Sequence, residues 1–160
     1  MKEQTWTFVD KTAWPAGQWQ HEPDKMQWTD AASGLPCLAV RNHAGVWCGY
    51  VGVAEGHPLF QVGYDDVEAD IDVHGGLTYS ALCDEMNAPH GICHIPEPGQ
   101  PDHVWWLGFD TAHAGDLMPP YAALYGLLRG DTYKDLNYVR AECSSLAAQL
   151  AALVADGLTR

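Results

Sequence analysis

The sequence predicts an α+β fold: a single domain, residues 1–160, with an antiparallel sheet of about four to six strands covered on one face by a C-terminal amphipathic helix. Three observations predict it. Short apolar runs separated by glycine-containing turns recur between residues 35 and 110. Leu136, Val139, Cys143, Leu146, Leu150 and Leu153 then repeat in alternating steps of three and four, which lines one face of a helix. Finally, 160 residues fit one core that folds without needing a metal or a disulfide.

Taken in order, residues 1–34 read as a largely irregular N-terminal segment with a short strand at 5–9, because Trp6, Trp14, Trp19 and Trp28 are interspersed with Pro15, Gly17, Pro23 and Gly34. Residues 37–40 and 46–53 are apolar runs around Arg41-Asn42-His43-Ala44-Gly45, a hairpin pattern. Residues 54–68 suit a short helix or a structured loop equally. Residues 70–74 alternate acidic and apolar side chains like a strand, Gly75-Gly76 reads as a tight turn, and 77–82 as the return strand. The segment 84–102 carries four prolines and two glycines, a density that leaves a long ordered loop. A strand at 104–109 follows. Pro119-Pro120 is placed to start a short helix at 121–128 ended by Gly130, and Asp131 or Thr132 to cap the long helix, 132–156, with Gly157 as its stop. The stripe resembles a dimer seam, but one this short more commonly packs on the protein's own sheet.

Composition narrows the function. A hydrophobic content of 47% with seven tryptophans excludes disorder. The formal charge of −13 excludes a polynucleotide groove and disfavours an anionic membrane, whereas it suits a cation site, a basic protein partner or plain solubility. The longest apolar run, near 146–154, is broken by Gln149 and too short to span a bilayer. Five cysteines, an odd number without a repeating spacing, and a polar N-terminus lead to the expectation of a reducing cytoplasm.

Two strings carry the chemistry. Trp105-Trp106-Leu107-Gly108-Phe109 ends abruptly in Asp110-Thr111-Ala112-His113-Ala114-Gly115-Asp116, and residues 70–74 end in His74-Gly75-Gly76-Leu77-Thr78. If strands 70–74, 77–82 and 104–109 formed a consecutive meander, His74 and Asp110 would share one sheet edge. His74, Asp110 and His113 are then the expected catalytic residues, as base and orienting groups. Asp110, His113 and Asp116 are the expected metal ligands, with His74 able to join them; the expected cofactor is a divalent cation such as Zn or Mn. Gly75 and Gly76 amides with Thr78 would contact the ligand. In the plainer alternative Asp110 caps a turn, His113 bonds a carbonyl and the glycines only turn the chain. Weaker candidates are a zinc site from Cys83, Cys93 and His94, a Cys93 nucleophile with His90 or His94 as base, and outer groups at His57, Asp65 and Asp66.

The same two strings resemble those of small uncharacterised bacterial and phage proteins, the similarity running from about Trp28 to the terminal helix; many of those proteins have Cys where Thr111 stands. The resemblance implies a bacterial cell, with the chain itself of bacterial or phage origin, and carries no catalytic roles. The function expected is a small intracellular hydrolase-like enzyme for a nucleotide or other phosphorylated small molecule. The alternative is a non-enzymatic protein that sequesters a small molecule or blocks a host protein; a homodimer or a basic protein partner fits the acidic surface.

Overall fold

The computed structural model describes residues 1–83, 89–126 and 129–156, with the backbone alone at 125 and 126. The expectations placed on 84–88, 127–128 and Gly157 lie outside them. Six strands, β1 (Gln4–Trp6), β2 (Lys25–Thr29), β3 (Pro36–Arg41), β4 (Trp47–Ala54), β5 (Tyr79–Leu82) and β6 (Val104–Asp110), form an antiparallel sheet in the order β1-β2-β3-β4-β6-β5. One long helix, α1 (Leu136–Ala155), packs across β3 and β4. The fold is α+β as the sequence predicts.

The helix sits where its stripe directs it. Val139, Cys143, Leu146, Ala147 and Leu150 are buried, against Met26, Trp28, Ala39, Val51, Leu107 and Phe109 of the sheet. Burying a side chain of leucine size contributes roughly 1.5–3 kcal/mol, so these positions dominate the helix's attachment. The approach is close at Gly49 in β4, where a Cβ would come within 2.8 Å of the Cys143 sulfur. The opposite sheet face buries Leu38, Val40, Cys48, Tyr50, Val104 and Trp106 beneath Phe8 and Ile92. Among the described residues, no helix is long and apolar enough to cross a membrane.

Four elements differ from expectation, each for a physical reason. The segment 1–34 contains β1 and β2. In β2, Met26 and Trp28 face the helix side, while Lys25 and Gln27 are buried on polar partners: Lys25 Nζ donates to Gly91 O at 2.8 Å, and Gln27 bonds Lys2 O and the backbone N–H and C=O of Ile95. A strand covered on both faces but carrying polar residues does not display the usual alternation. The early strand is shorter than expected because the Phe8 and Val9 amides bond the Asp24 carboxylate, at 2.8 Å each. The long helix starts at Leu136, since Thr132 is tied to the 115–117 backbone; Asp135 caps it by accepting from Tyr138 N at 2.8 Å.

The fourth difference matters most for the site. Residues 70–74 are not a strand, and the expected consecutive meander is not formed: β6 lies between β4 and β5. The segment instead runs as a strap along α1. Val73 is buried in the helix-side core, and the Gln149 amide accepts from Asp72 N at 2.8 Å and donates to Asp72 O at 2.7 Å. One side chain thus satisfies both backbone groups of Asp72, as a neighbouring strand would. Residues 55–68 are a loop with one 3-10 turn, Tyr64–Asp66, and the proline pair opens a 3-10 turn, Pro119–Tyr121, that runs into a π-helical turn, Ala122–Gly126.

Candidate metal centre

Three chain segments meet at one end of the sheet. Asp110 ends β6, and the following Thr111 is buried, its hydroxyl donating to Trp47 O at 2.8 Å. That anchor leads into a tight turn in which Asp116 N donates to His113 O at 2.9 Å and His113 N donates to Asp116 Oδ2 at 3.0 Å. A parallel bridge from Asp116 to Thr132 fixes the end of this turn. The strap brings His74 from the other side, with its amide donating to Glu142 Oε1 of α1 at 3.0 Å.

His74 Nε2 is 2.8 Å from Asp116 Oδ2, and its Nδ1 is 2.7 Å from the Tyr138 hydroxyl. Asp116 is 5% exposed. Its burial works to raise the carboxyl pKa, but the His74 hydrogen bond, the His113 amide and Lys134 outweigh it and hold the group below the ordinary carboxylate value. Asp116 is therefore an acceptor, and Nε2 carries the hydrogen between them. Lys134 Nζ holds the other oxygen, Oδ1, at 3.0 Å. Burial, with the Glu142 and Asp116 carboxylates, raises the Tyr138 phenol and keeps it protonated.

His113 differs from the rest. Its Nδ1 is buried and has no hydrogen-bond partner, although Asp110 Oδ1 and Asp116 Oδ2 each lie 3.5 Å away. Two indole N–H groups, of Trp47 and Trp106, are the other buried side-chain atoms without a partner among the described residues; only the His113 nitrogen stands between carboxylates. One donor atom each from His74, His113 and Asp116 fall within 4.8 Å of one another. Ligands about 2.0–2.1 Å from a tetrahedral ion stand roughly 3.3–3.4 Å apart. The 2.8 Å and 3.5 Å separations from Asp116 Oδ2 to the two imidazoles bracket that value, while the three donors together spread over up to 4.8 Å, so these are the residues that could hold a divalent cation once the imidazoles draw together. Asp110 flanks the set, held by Thr78 Oγ1 at 3.1 Å and Ala112 N at 3.0 Å.

The expected residues therefore converge, by a route other than a shared strand edge. His74, Asp110, His113 and Asp116 are together; Thr78 touches Asp110. Gly75 and Gly76 both have positive φ, at 68° and 80°, and Gly76 N closes a turn on Val73 O at 2.8 Å. The plainer alternative is met in part, since Asp110 does bind the turn amide of Ala112, but His113 Nδ1 bonds no carbonyl. Gly75 has a further reason to be glycine: a Cβ there would stand 2.2 Å from the His113 ring.

The weaker candidates have other duties. Cys83 and Cys93 form a disulfide, so neither offers a thiolate to zinc or a nucleophile. Such bridges persist in oxidising compartments, a feature the odd cysteine count had not suggested. His94 packs edge-on against Trp106, and His90 against Phe8. Burial pushes the Cys37 and Cys48 thiols up to about 12, and Cys143 rises for the same reason; all three are unreactive core residues. His57 accepts from Leu59 N at 3.0 Å through Nδ1 and donates to Leu150 O at 2.8 Å through Nε2, pinning its loop to α1. The 3-10 turn with Asp65 and Asp66 supplies nothing to the centre.

Sequence reasoning missed Lys134, Tyr138 and Glu142. Tyr138 and Glu142 are four apart, hence on one helix face, beside the apolar stripe. Comparison with protein-family models, with curated proteins and with solved structures finds no match to this chain.

Proposed function

We propose that the protein is a small metal-dependent hydrolase-like enzyme acting on a nucleotide or other phosphorylated small molecule. The observation that carries this reading is His113 Nδ1, buried without a partner and 3.5 Å from two carboxylate oxygens, beside the His74–Asp116 pair. His74, His113 and Asp116 would hold the cation, with Zn or Mn suited to that donor set. A bound divalent cation supplies Lewis-acid stabilisation of a substrate oxygen and lowers the pKa of water.

The chain's own groups divide the remaining work. Asp110, fixed by Thr78 and the Ala112 amide, is placed to accept a proton from an attacking water. Lys134 keeps Asp116 ionised and occupies its second oxygen, leaving a single oxygen to coordinate. Tyr138 and the Glu142-bound strap fix the His74 ring, as groups behind a metal-ligating imidazole do. On a chain of net charge −13, a cation here offsets the repulsion of an anionic substrate.

The test is turnover. Purified protein loaded with Zn or Mn should release phosphate from at least one member of a panel of nucleotides and phosphate monoesters. That activity should fall about 100-fold or more in Asp110→Asn and vanish in His113→Ala. Cation-loaded protein that turns over no member of the panel contradicts the hydrolase reading.

That outcome would favour sequestration, for which a second observation speaks. A cleft of about 630 Å³ opens on the sheet face away from α1, lined by Trp14, Val40, His43, Tyr50, His90 and Ile92 among others, large enough for a small-molecule ligand. A ligand retained and recovered chemically unchanged would establish it.

A further inference from the structure

On the sheet face away from the proposed metal centre, a buried amine lines a cavity of its own. Lys25, in β2, is 5% exposed. Its Nζ donates to Gly91 O at 2.8 Å and stands 5.0 Å over the Trp6 ring. Among the described residues no carboxylate pairs with it, whereas Lys11 pairs with Asp24 and Lys134 with Asp116. Among the described residues, an ammonium so placed has a backbone carbonyl and an aromatic face as compensation for lost water. Beside it lies a cavity of about 370 Å³ walled by Trp6, Lys25, Pro89, Cys93, His94 and Ile95. Its outer wall belongs to the loop that the Cys83–Cys93 bridge fastens to the sheet.

We infer that Lys25 is a covalent binding site for a small apolar or aromatic aldehyde or ketone, held in this cavity as an imine. An amine stripped of water in an apolar pocket is the kind that attacks carbonyl carbon. Burial lowers the Lys25 pKa from its ordinary value, which favours the free base. Burial is the cause that acts on Lys25, and the titratable group that shares its cavity wall is His94. Burial likewise lowers His94, with the N-terminal amine and Lys25 itself adding to the effect while the Pro101 carbonyl and Asp102 oppose it. His94 is thus a neutral imidazole on the wall of the same cavity.

The step balances without an oxidant or reductant. The Lys25 lone pair forms a C–N bond to the carbonyl carbon as the π pair moves to oxygen. A proton then passes from nitrogen to oxygen, and the His94 imidazole on the cavity wall is the group that would relay it. The remaining nitrogen proton then leaves with that hydroxyl as water, giving the C=N bond, and hydrolysis reverses the sequence. Trp6 and Ile95 offer apolar surface to the rest of the ligand, which is why an aromatic or aliphatic carbonyl is favoured over a sugar.

The experiment traps the imine. Native protein is incubated with benzaldehyde and sodium cyanoborohydride near neutral pH, and the benzylated lysines are mapped by peptide mass spectrometry. Lys25 should carry several times the label found on the exposed Lys2, and labelling at that site should vanish in Lys25→Met without changing the rate at Lys2. Because the decisive ratio is read in the native chain, it does not depend on the variant folding. Label distributed over Lys2, Lys134 and the N-terminus with Lys25 unmodified would overturn the inference.

Discussion

Two polar clusters among the described residues, one around Arg41 and one around His113, are built differently: the first is closed and the second is not. Around Arg41, the buried Asp24 accepts from the Phe8 and Val9 amides, from Lys11 at 2.6 Å and from Arg41 Nε at 2.9 Å. Arg41 then donates to Gly45 O, Tyr133 and Pro23 O, and Glu22 links Tyr133 to the first amide of α1. Its charges are matched and its carboxylates fully used, and it ties the N-terminal segment, the 41–45 hairpin and the helix start together. At the other cluster His113 Nδ1 has no partner while carboxylates stand on both sides of it. A closed network specifies structure; an open one of convergent donors is poised to take a ligand.

The difference predicts opposite costs for removing a residue. Asp24→Ala should destabilise the protein by about 3–5 kcal/mol, because it strands two buried cations; urea unfolding measures it, and a loss below about 1 kcal/mol would mean the network is not structural. The same carboxylate sets an acid limit. Burial works to raise Asp24, but Lys11, the Val9 and Phe8 amides and Arg41 prevail and depress it, and Asp116 is depressed likewise. A folded pKa below the unfolded one contributes stability at higher pH that is lost as pH falls through the folded value. Melting temperature should therefore hold above the ordinary carboxyl value of 3.8 and decline steadily below it, less steeply in Asp116→Asn. A flat acid limb would contradict this.

Gly75 and Gly76 sharpen the comparison at the open cluster. Both have positive φ, so alanine at either should cost about 1–2 kcal/mol in backbone strain. Only at Gly75 does the new Cβ meet the His113 ring; nothing lies within 4 Å of it at Gly76. Calorimetric titration with Zn should show about a 10- to 100-fold loss of affinity in Gly75→Ala and little beyond the shared strain in Gly76→Ala. Equal affinities in the two variants would show that His113 is not a ligand. The smallest effect belongs to His113→Ala without cation: removing a partly exposed ring whose Nδ1 has no partner should change unfolding free energy by no more than about 0.5 kcal/mol. A larger loss would make His113 structural.

How much of this was legible in the sequence depends on what satisfies each residue. The α1 stripe was, because one apolar face repeats over five turns and nothing polar interrupts it. Strand β2 was not, since Lys25 and Gln27 are buried on partners more than sixty residues away, and a polar residue with a distant partner looks like a solvated one. The alternation at residues 70–74 was real, with Ile71 and Val73 toward the core and Asp70 and Asp72 exposed, but the backbone partner is the Gln149 side chain on α1, which no strand pattern foretells. The convergence of His74 with His113 and Asp116 was expected from a consecutive meander that is not formed; the strap that Gln149 and Glu142 tie to α1 makes it instead, and only the turn that joins His113 to Asp116 was legible locally. Lys134 and Tyr138 were not legible, since the bridge from Asp116 to Thr132 that brings them there joins segments sixteen residues apart and leaves no periodic trace.

The claim that the open cluster takes a divalent cation is tested most directly by anomalous diffraction from crystals of the native chain soaked in Zn, with data collected on both sides of the metal's absorption edge. The account predicts one strong anomalous peak about 2.0–2.2 Å from His74 Nε2, His113 Nδ1 and Asp116 Oδ2, with Lys134 still on the second Asp116 oxygen. No peak between these atoms at saturating Zn, with His74 still hydrogen-bonded to Asp116 and the His113 ring turned toward solvent, would contradict it.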